Sequence, residues 1–166
     1  SYDGNFVING KGRLATVANG SSVTNFSAYD GMGRVTQSSQ QTGSTVYNFS
    51  YAYNLAGGLT SEVYPSGRAI TNGYDTAGRP NLVSGLANWQ GGNPAAGSVT
   101  YVSEVSYAPQ GAPAGYKYGN TVSPVFNYNN RLQLASTWDS RNSDPNQFLF
   151  LLSLDWGTTN NNGNLR

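Results

Sequence analysis

Tyr29-Asp30-Gly31-Met32-Gly33-Arg34-Val35 and Tyr74-Asp75-Thr76-Ala77-Gly78-Arg79-Pro80 are two copies of one seven-residue unit. Each residue type has a job in reversing a chain. Tyr ends a strand with a large ring and a hydroxyl that can reach a polar partner. Asp accepts hydrogen bonds from the backbone N–H groups that follow it. Gly supplies a positive φ at little steric cost. Arg starts the return strand, placed to pair with the Asp or with carbonyls of a neighbouring repeat.

Working outward, the unit recurs with variations. Tyr53-Asn54-Leu55-Ala56-Gly57-Gly58-Leu59 keeps the frame with Asn for Asp and Gly for Arg, and Tyr64-Pro65-Ser66-Gly67-Arg68 reads as one residue shorter. Weaker copies stand at Tyr107-Ala108-Pro109-Gln110-Gly111 and Tyr128-Asn129-Asn130-Arg131-Leu132. Tyr2-Asp3 leads through a longer loop to Gly12-Arg13-Leu14, and Asp155-Trp156 leads to Gly163-Asn164-Leu165. The tyrosines at 29, 53 and 74 lie 24 and 21 residues apart, a period that suits two strands and two turns. Nine of the seventeen charged residues sit in these units, which ties charge placement to architecture.

Between the turns the sequence alternates as half-buried strands do. Tyr47, Phe49, Tyr51 and Tyr53 occupy every second position, and Val99 to Tyr107 and Leu132 to Trp138 repeat the pattern less strictly. Phe148 to Leu152 is apolar at every position, which predicts a strand covered on both faces. No stretch sustains a helical period. The expected fold is all-β: repeated antiparallel β-hairpins forming a curved sheet or solenoid-like shell strip, with little or no helix. Residues 1–166 read as a single array, interrupted by loop-rich stretches at 85–97 (with Trp89, Gly91-Gly92 and Pro94) and 109–124 (with three prolines). The start without Met and the end at Arg166 suggest an internal or processed fragment.

Composition closes most routes to catalysis. The 166 residues include no Cys and no His, which removes thiol nucleophiles, thiolate and imidazole metal sites, and a Ser-His-Asp triad. Charged residues make up 10% with net charge +1, and the basic ones form no patch, so no nucleic-acid partner is expected. No apolar run approaches the roughly 20 residues of a transmembrane helix.

The Tyr-Asp-x-x-Gly-Arg units at Tyr29 and Tyr74, with their variants at Tyr64 and Tyr128, resemble the YD repeats of RHS-repeat proteins over nearly the whole chain. The resemblance implies a β-sheet strip that spirals into a hollow shell. Such shells enclose a toxic C-terminal region in bacterial polymorphic toxins and in toxin complexes of insect pathogens. In the related teneurins the shell belongs to a cell-surface adhesion receptor. The Asp-Pro-x-Gly signature of the family's self-cleaving region is not present, because Asp144-Pro145-Asn146-Gln147 lacks the Gly.

These readings point to a non-catalytic scaffold without cofactor or metal, secreted or at a cell surface. Its partners would be adjacent repeats or copies of itself at the sheet edges, with enclosed toxin cargo or glycans as further occupants. Glu62, Glu104, Asp139 and Asp144 are the carboxylates outside the motif that a glycosidase would need, and they read better as solvated charges. Asp139, Asn142, Asp144 and Asn146 fail calcium-loop spacing, and 160–164 reads as a linker. Trp89 and Trp138 are the candidates for stacking on a sugar in an adhesin-type alternative. A self-assembling fibre subunit is the third reading, since bare sheet edges recruit strands.

Overall fold

A computed structural model describes all residues except 5, 91–92, 143, 145–146, 158–160, 162 and 166, and for 86–90 and 93–97 it describes the backbone alone. The described residues are all-β, without helix. Twelve strands form an antiparallel sheet whose order follows the sequence. They are β1 (Thr16–Asn19), β2 (Ser22–Tyr29), β3 (Val35–Thr42), β4 (Thr45–Tyr53), β5 (Leu59–Val63), β6 (Ala69–Tyr74), β7 (Pro80–Gln90), β8 (Asn93–Tyr107), β9 (Pro113–Tyr118), β10 (Val122–Tyr128), β11 (Leu134–Arg141) and β12 (Phe148–Ser153). The chain divides into two compact units, Ser1–Asn72 with Gly85–Ser98, and Gly73–Ser84 with Val99–Arg166.

Both stretches expected as loops carry strands. Residues 85–97 lie on β7 and β8, apart from 91–92, which are not described. Gly, Ala, Asn and Pro disfavour strands locally. Main-chain pairing along a long hairpin depends little on side-chain identity, so the ladder carries these residues. In 109–124, read as loop or interrupted edge strand, β9 and the start of β10 are strands between turns, and neither is an edge. Pro124 is tolerated inside the sheet because of the way it faces. Its carbonyl lies against Gly115 of β9, so its bare nitrogen turns to that side too. The pairing of β10 with β11 then runs unbroken from Val122↔Arg141 to Asn127↔Ser136.

Burial is sparse. Among the described residues the buried apolar side chains are Ala15, Ala28, Tyr29 and Pro124. The chain exposes 10551 Å². Little apolar side chain is buried among the described residues. β12 shows it most clearly: Phe148, Leu149, Phe150, Leu151 and Leu152 are 41% to 60% exposed, so the chain covers neither face of a strand expected to be covered on both.

Candidate functional site

The repeated turn is the most developed side-chain arrangement in the molecule. In the Asp30 and Asp75 turns the acid's N–H donates to the carbonyl of the Arg four residues on (2.9 and 2.8 Å), and the Gly N–H donates back to the acid's carbonyl (3.0 and 2.9 Å). Asn54–Gly58, Ala108–Ala112 and Asn129–Gln133 repeat both bonds. The residue at the Gly position has positive φ, as at Gly33 (88°) and Gly78 (76°), which makes each turn a type I reversal closed by a glycine bulge.

The acid completes the turn. Asp30 Oδ1 accepts from the N–H of Met32 (3.0 Å) and Arg34 (2.9 Å), and Asp75 Oδ1 accepts from Ala77 and Arg79 (both 2.9 Å). Arg34 Nε reaches Asp30 Oδ2 at 2.6 Å, and Arg79 Nε reaches Asp75 Oδ2 at 2.8 Å. The backbone N–H of the Arg, with its guanidinium, holds each carboxyl below the usual carboxylate range. A depressed folded pKa means stability that is present above the unfolded value and is lost as pH falls through the folded one. The thermal midpoint should therefore fall on acidification below about pH 4. Asp30→Asn with Asp75→Asn should fold and flatten that acid limb, because Asn54 and Asn129 already accept the same backbone bonds. Circular-dichroism melts between neutral and strongly acid pH check this; an unchanged acid limb would remove these carboxyls as its cause.

Successive turns are linked. The guanidinium of Arg13 lies 5.3 Å over the Tyr29 ring and Nη1 donates to Gly33 O (3.1 Å). Arg34 lies 4.8 Å over Tyr53 and donates to Asn54 O (2.7 Å). Arg79 lies 4.4 Å over Tyr107. Each Arg thus touches the aromatic residue of the next turn. A second link runs backward from ring to carbonyl. The Tyr29 hydroxyl donates to Leu14 O (2.6 Å), Tyr107 to Pro80 O and Tyr128 to Pro113 O (2.9 Å). The acceptor always follows the Arg position of the preceding turn. Trp156 makes the same bond with its indole N–H, to Leu134 O at 2.7 Å.

Two motif residues sit elsewhere than their spacing suggested. Tyr64 N donates to Arg68 O and Gly67 N to Tyr64 O, so this turn has full length with Tyr64 in the acid's place and Val63 in the tyrosine's. It joins β5 to β6, at the strand ends opposite the Asn54 turn. Arg131 occupies a variable position. Leu132, at φ 64°, stands where glycine stands elsewhere, and Gln133 takes the arginine's place, bonded to Asn129 (2.9 Å). Arg131 Nη1 reaches Asn161 O instead (2.7 Å). Sequence spacing alone missed this shift, because it matched residue types and the turn is defined by backbone hydrogen bonds.

The other candidates are dispersed. Glu62 accepts from the Tyr64 hydroxyl (3.0 Å), Glu104 pairs with Lys117 (3.4 Å), and Asp144 accepts from Gln147 Nε2 (3.0 Å). Asp139 is on β11. No cluster of three or more carboxylates able to hold a metal ion occurs among the described residues. Of the proposed oxygen ligands, Asn146 lies outside the described residues, as do positions 160 and 162 of the terminal run. Trp89 has its backbone in β7 and its side chain outside the description. Trp138 is half-buried on β11 and lines a cleft. No helix among the described residues is long and apolar enough to cross a membrane.

No family model matches the chain, and no curated protein matches it in sequence. Solved structures do match. A structure of TcdB2–TccC3 without the hypervariable C-terminal region covers 95% of this chain with a TM-score of 0.80 at 17% identity. The chain has the fold of a segment of these Tc toxin structures. The Tc holotoxin pore of Photorhabdus luminescens covers 87% with a TM-score of 0.75 at 15% identity, and the TcdB2–TccC3–Cdc42 structure gives the same three values. In each match this chain spans 7% to 8% of the length of the Tc protein. The resemblance to RHS/YD repeats read from the turns therefore holds at the level of the Tc fold.

Proposed function

We propose that the chain is a non-catalytic wall segment of a larger secreted or cell-surface hairpin-repeat shell, which encloses cargo or presents a surface. The observation that carries this reading is the sheet's own incompleteness: few side chains are buried, and the apolar β12 ends the sheet with both faces open. A wall needs neighbours to cover such a strand, and the turn-to-turn links of Arg and Tyr show how one repeat is held to the next. Further repeats, or a second copy, would continue the sheet at β12. The likeness to Tc toxins supports a shell-type scaffold in the same direction.

A fibre subunit needs two open edges. β1 is four residues long, and its first residue, Thr16, is already bonded to Ser1. That blunted edge favours closed pairing at β12 over open-ended stacking.

Light scattering on the isolated chain, with a dye that fluoresces on apolar surfaces, tests the wall reading. The expected result is dye binding and a mass that rises with concentration above 17.6 kDa. A dye-negative 17.6 kDa monomer at every concentration would mean the sheet needs no covering, and the proposal would fail.

A further inference from the structure

β8 holds an outlier that no turn explains. It pairs with β9 through Val102↔Tyr118 and Ser103↔Lys117, then resumes at Ser106↔Gly115, so Glu104 and Val105 together face Tyr116. This is a bulge inside a 15-residue strand, and Glu104 stands in it at φ 55°. Glycine is the ordinary occupant of such a position, because a Cβ there meets the backbone. The Glu104 side chain is 66% exposed and its partner Lys117, at 3.4 Å, is 34% exposed. An exposed pair of this kind adds little stability, so it does not account for a strained glutamate.

The bulge aims Glu104 into a cleft of about 350 Å³. Gly115 forms the floor: a Cβ there would sit 3.1 Å from Pro124 O, so the position stays bare. Ser106, Gly115, Val125 and Trp138 lie side by side across four strands, with Ser123 opposite Ser140 in a neighbouring row. Trp138 makes one wall. Glu104 and Ser106 on β8 and Lys117 on β9 line the opposite side, Ser140 stands on β11 with Trp138, and Ser123 on β10 lies between. Ser123 and Ser140 are 7% and 3% exposed, which fixes them in place.

From this geometry we propose that the cleft binds a neutral pyranose, as a mono- or disaccharide. An indole wall accepts the apolar face of a sugar ring. A carboxylate, an ammonium and the exposed Ser106 hydroxyl meet the alternating donors and acceptors of its rim. The adjacent opposite charges cancel, so the cleft carries no net charge to select an anion or a cation, which suits an uncharged polyhydroxyl ligand. The volume falls in the lower part of the roughly 300–1,000 Å³ spanned by small-molecule sites. Sugar contact exchanges the exposed Glu104–Lys117 pair for ligand hydroxyls at little cost. The site stands independently of the shell reading.

Calorimetric titration of the full chain with neutral hexoses, N-acetylhexosamines and their disaccharides tests this, with a melting curve for every variant. At least one sugar should bind in the millimolar range. Trp138→Ala should weaken it by about tenfold or more. Ser106 is exposed, so Ser106→Gln should fill the cleft and abolish binding with the melting curve unchanged. Glu104→Gly is the decisive variant: relief of the positive φ should hold or raise the thermal midpoint while binding falls. Trp89→Ala should bind as the parent does. A lower midpoint for Glu104→Gly would make that residue structural and overturn the site. So would the absence of binding at tens of millimolar sugar, binding unaffected by both Trp138→Ala and Ser106→Gln, or loss of binding through Trp89→Ala alone.

Discussion

Gly33→Val should destabilise its unit by about 3–4 kcal/mol, and Gly78→Val by about 1–2 kcal/mol, although both glycines fill the same place in the same turn. Both adopt positive φ (88° and 76°), where a β-branched side chain is disfavoured, and that strain is common to the two. They differ in their surroundings. A Cβ at Gly78 meets open space, whereas at Gly33 it falls on the guanidinium of Arg13. That guanidinium donates to Gly33 O and lies over the buried Tyr29. Pushing it aside removes a charge-assisted hydrogen bond worth about 1.5–3 kcal/mol. Urea unfolding of both variants checks the ranking. In an Arg13→Ala background the cost of Gly33→Val should shrink to that of Gly78→Val. If the two variants cost the same in the parent chain, the link between turns contributes nothing and the repeat is held by its ladders alone.

Leu149→Lys with Leu151→Lys should abolish self-association of the isolated chain while leaving its fold intact. Both side chains lie on the edge strand and are 53% and 60% exposed, so lysine loses little existing contact. On pairing at this edge, two copies would bury four such leucines. At half the burial value of a full leucine side chain this is roughly 3–6 kcal/mol, or a hundredfold to ten-thousandfold in affinity. Four lysines in their place add like-charge repulsion, the device by which natural edge strands avoid one another. Light scattering should return a mass of 17.6 kDa for the variant with an unaltered circular-dichroism spectrum. An oligomer that survives the double change would place the contact away from β12.

The same two variants bear on how far local sequence carries. The Asp30 and Asp75 turns were legible from residue types, since an acid, a glycine and an arginine at fixed spacing satisfy a reversal among themselves. The Asn129 turn was only half legible. Its backbone bonds are those of its relatives, yet Leu132 stands at the glycine position and Gln133 at the arginine position. Surrounding pairing compensates for a poor local choice there, and no spacing rule can see that. Residues 85–97 and 109–124 were misread for the same reason, because glycine and proline report local preference while strand membership is settled by partners distant in sequence.

What the sequence by itself determined is everything that depends on neighbours along the chain: all-β class, hairpin repetition, the tyrosine-and-glycine turns, and the lack of any histidine or cysteine chemistry. What only the tertiary structure decided depends on neighbours across strands. It showed Arg13, Arg34 and Arg79 lying over the next turn's aromatic ring, and the hydroxyls of Tyr29, Tyr107 and Tyr128 bonded to carbonyls 15 to 27 residues earlier. It left β12 uncovered where its apolar run promised burial, and it put Glu104, in a bulge, on the lining of a cleft that Trp138 also lines. Turn geometry is encoded within about five residues, whereas coverage and clefts arise from register, which a single bulge shifts by one residue and so changes which side chains meet.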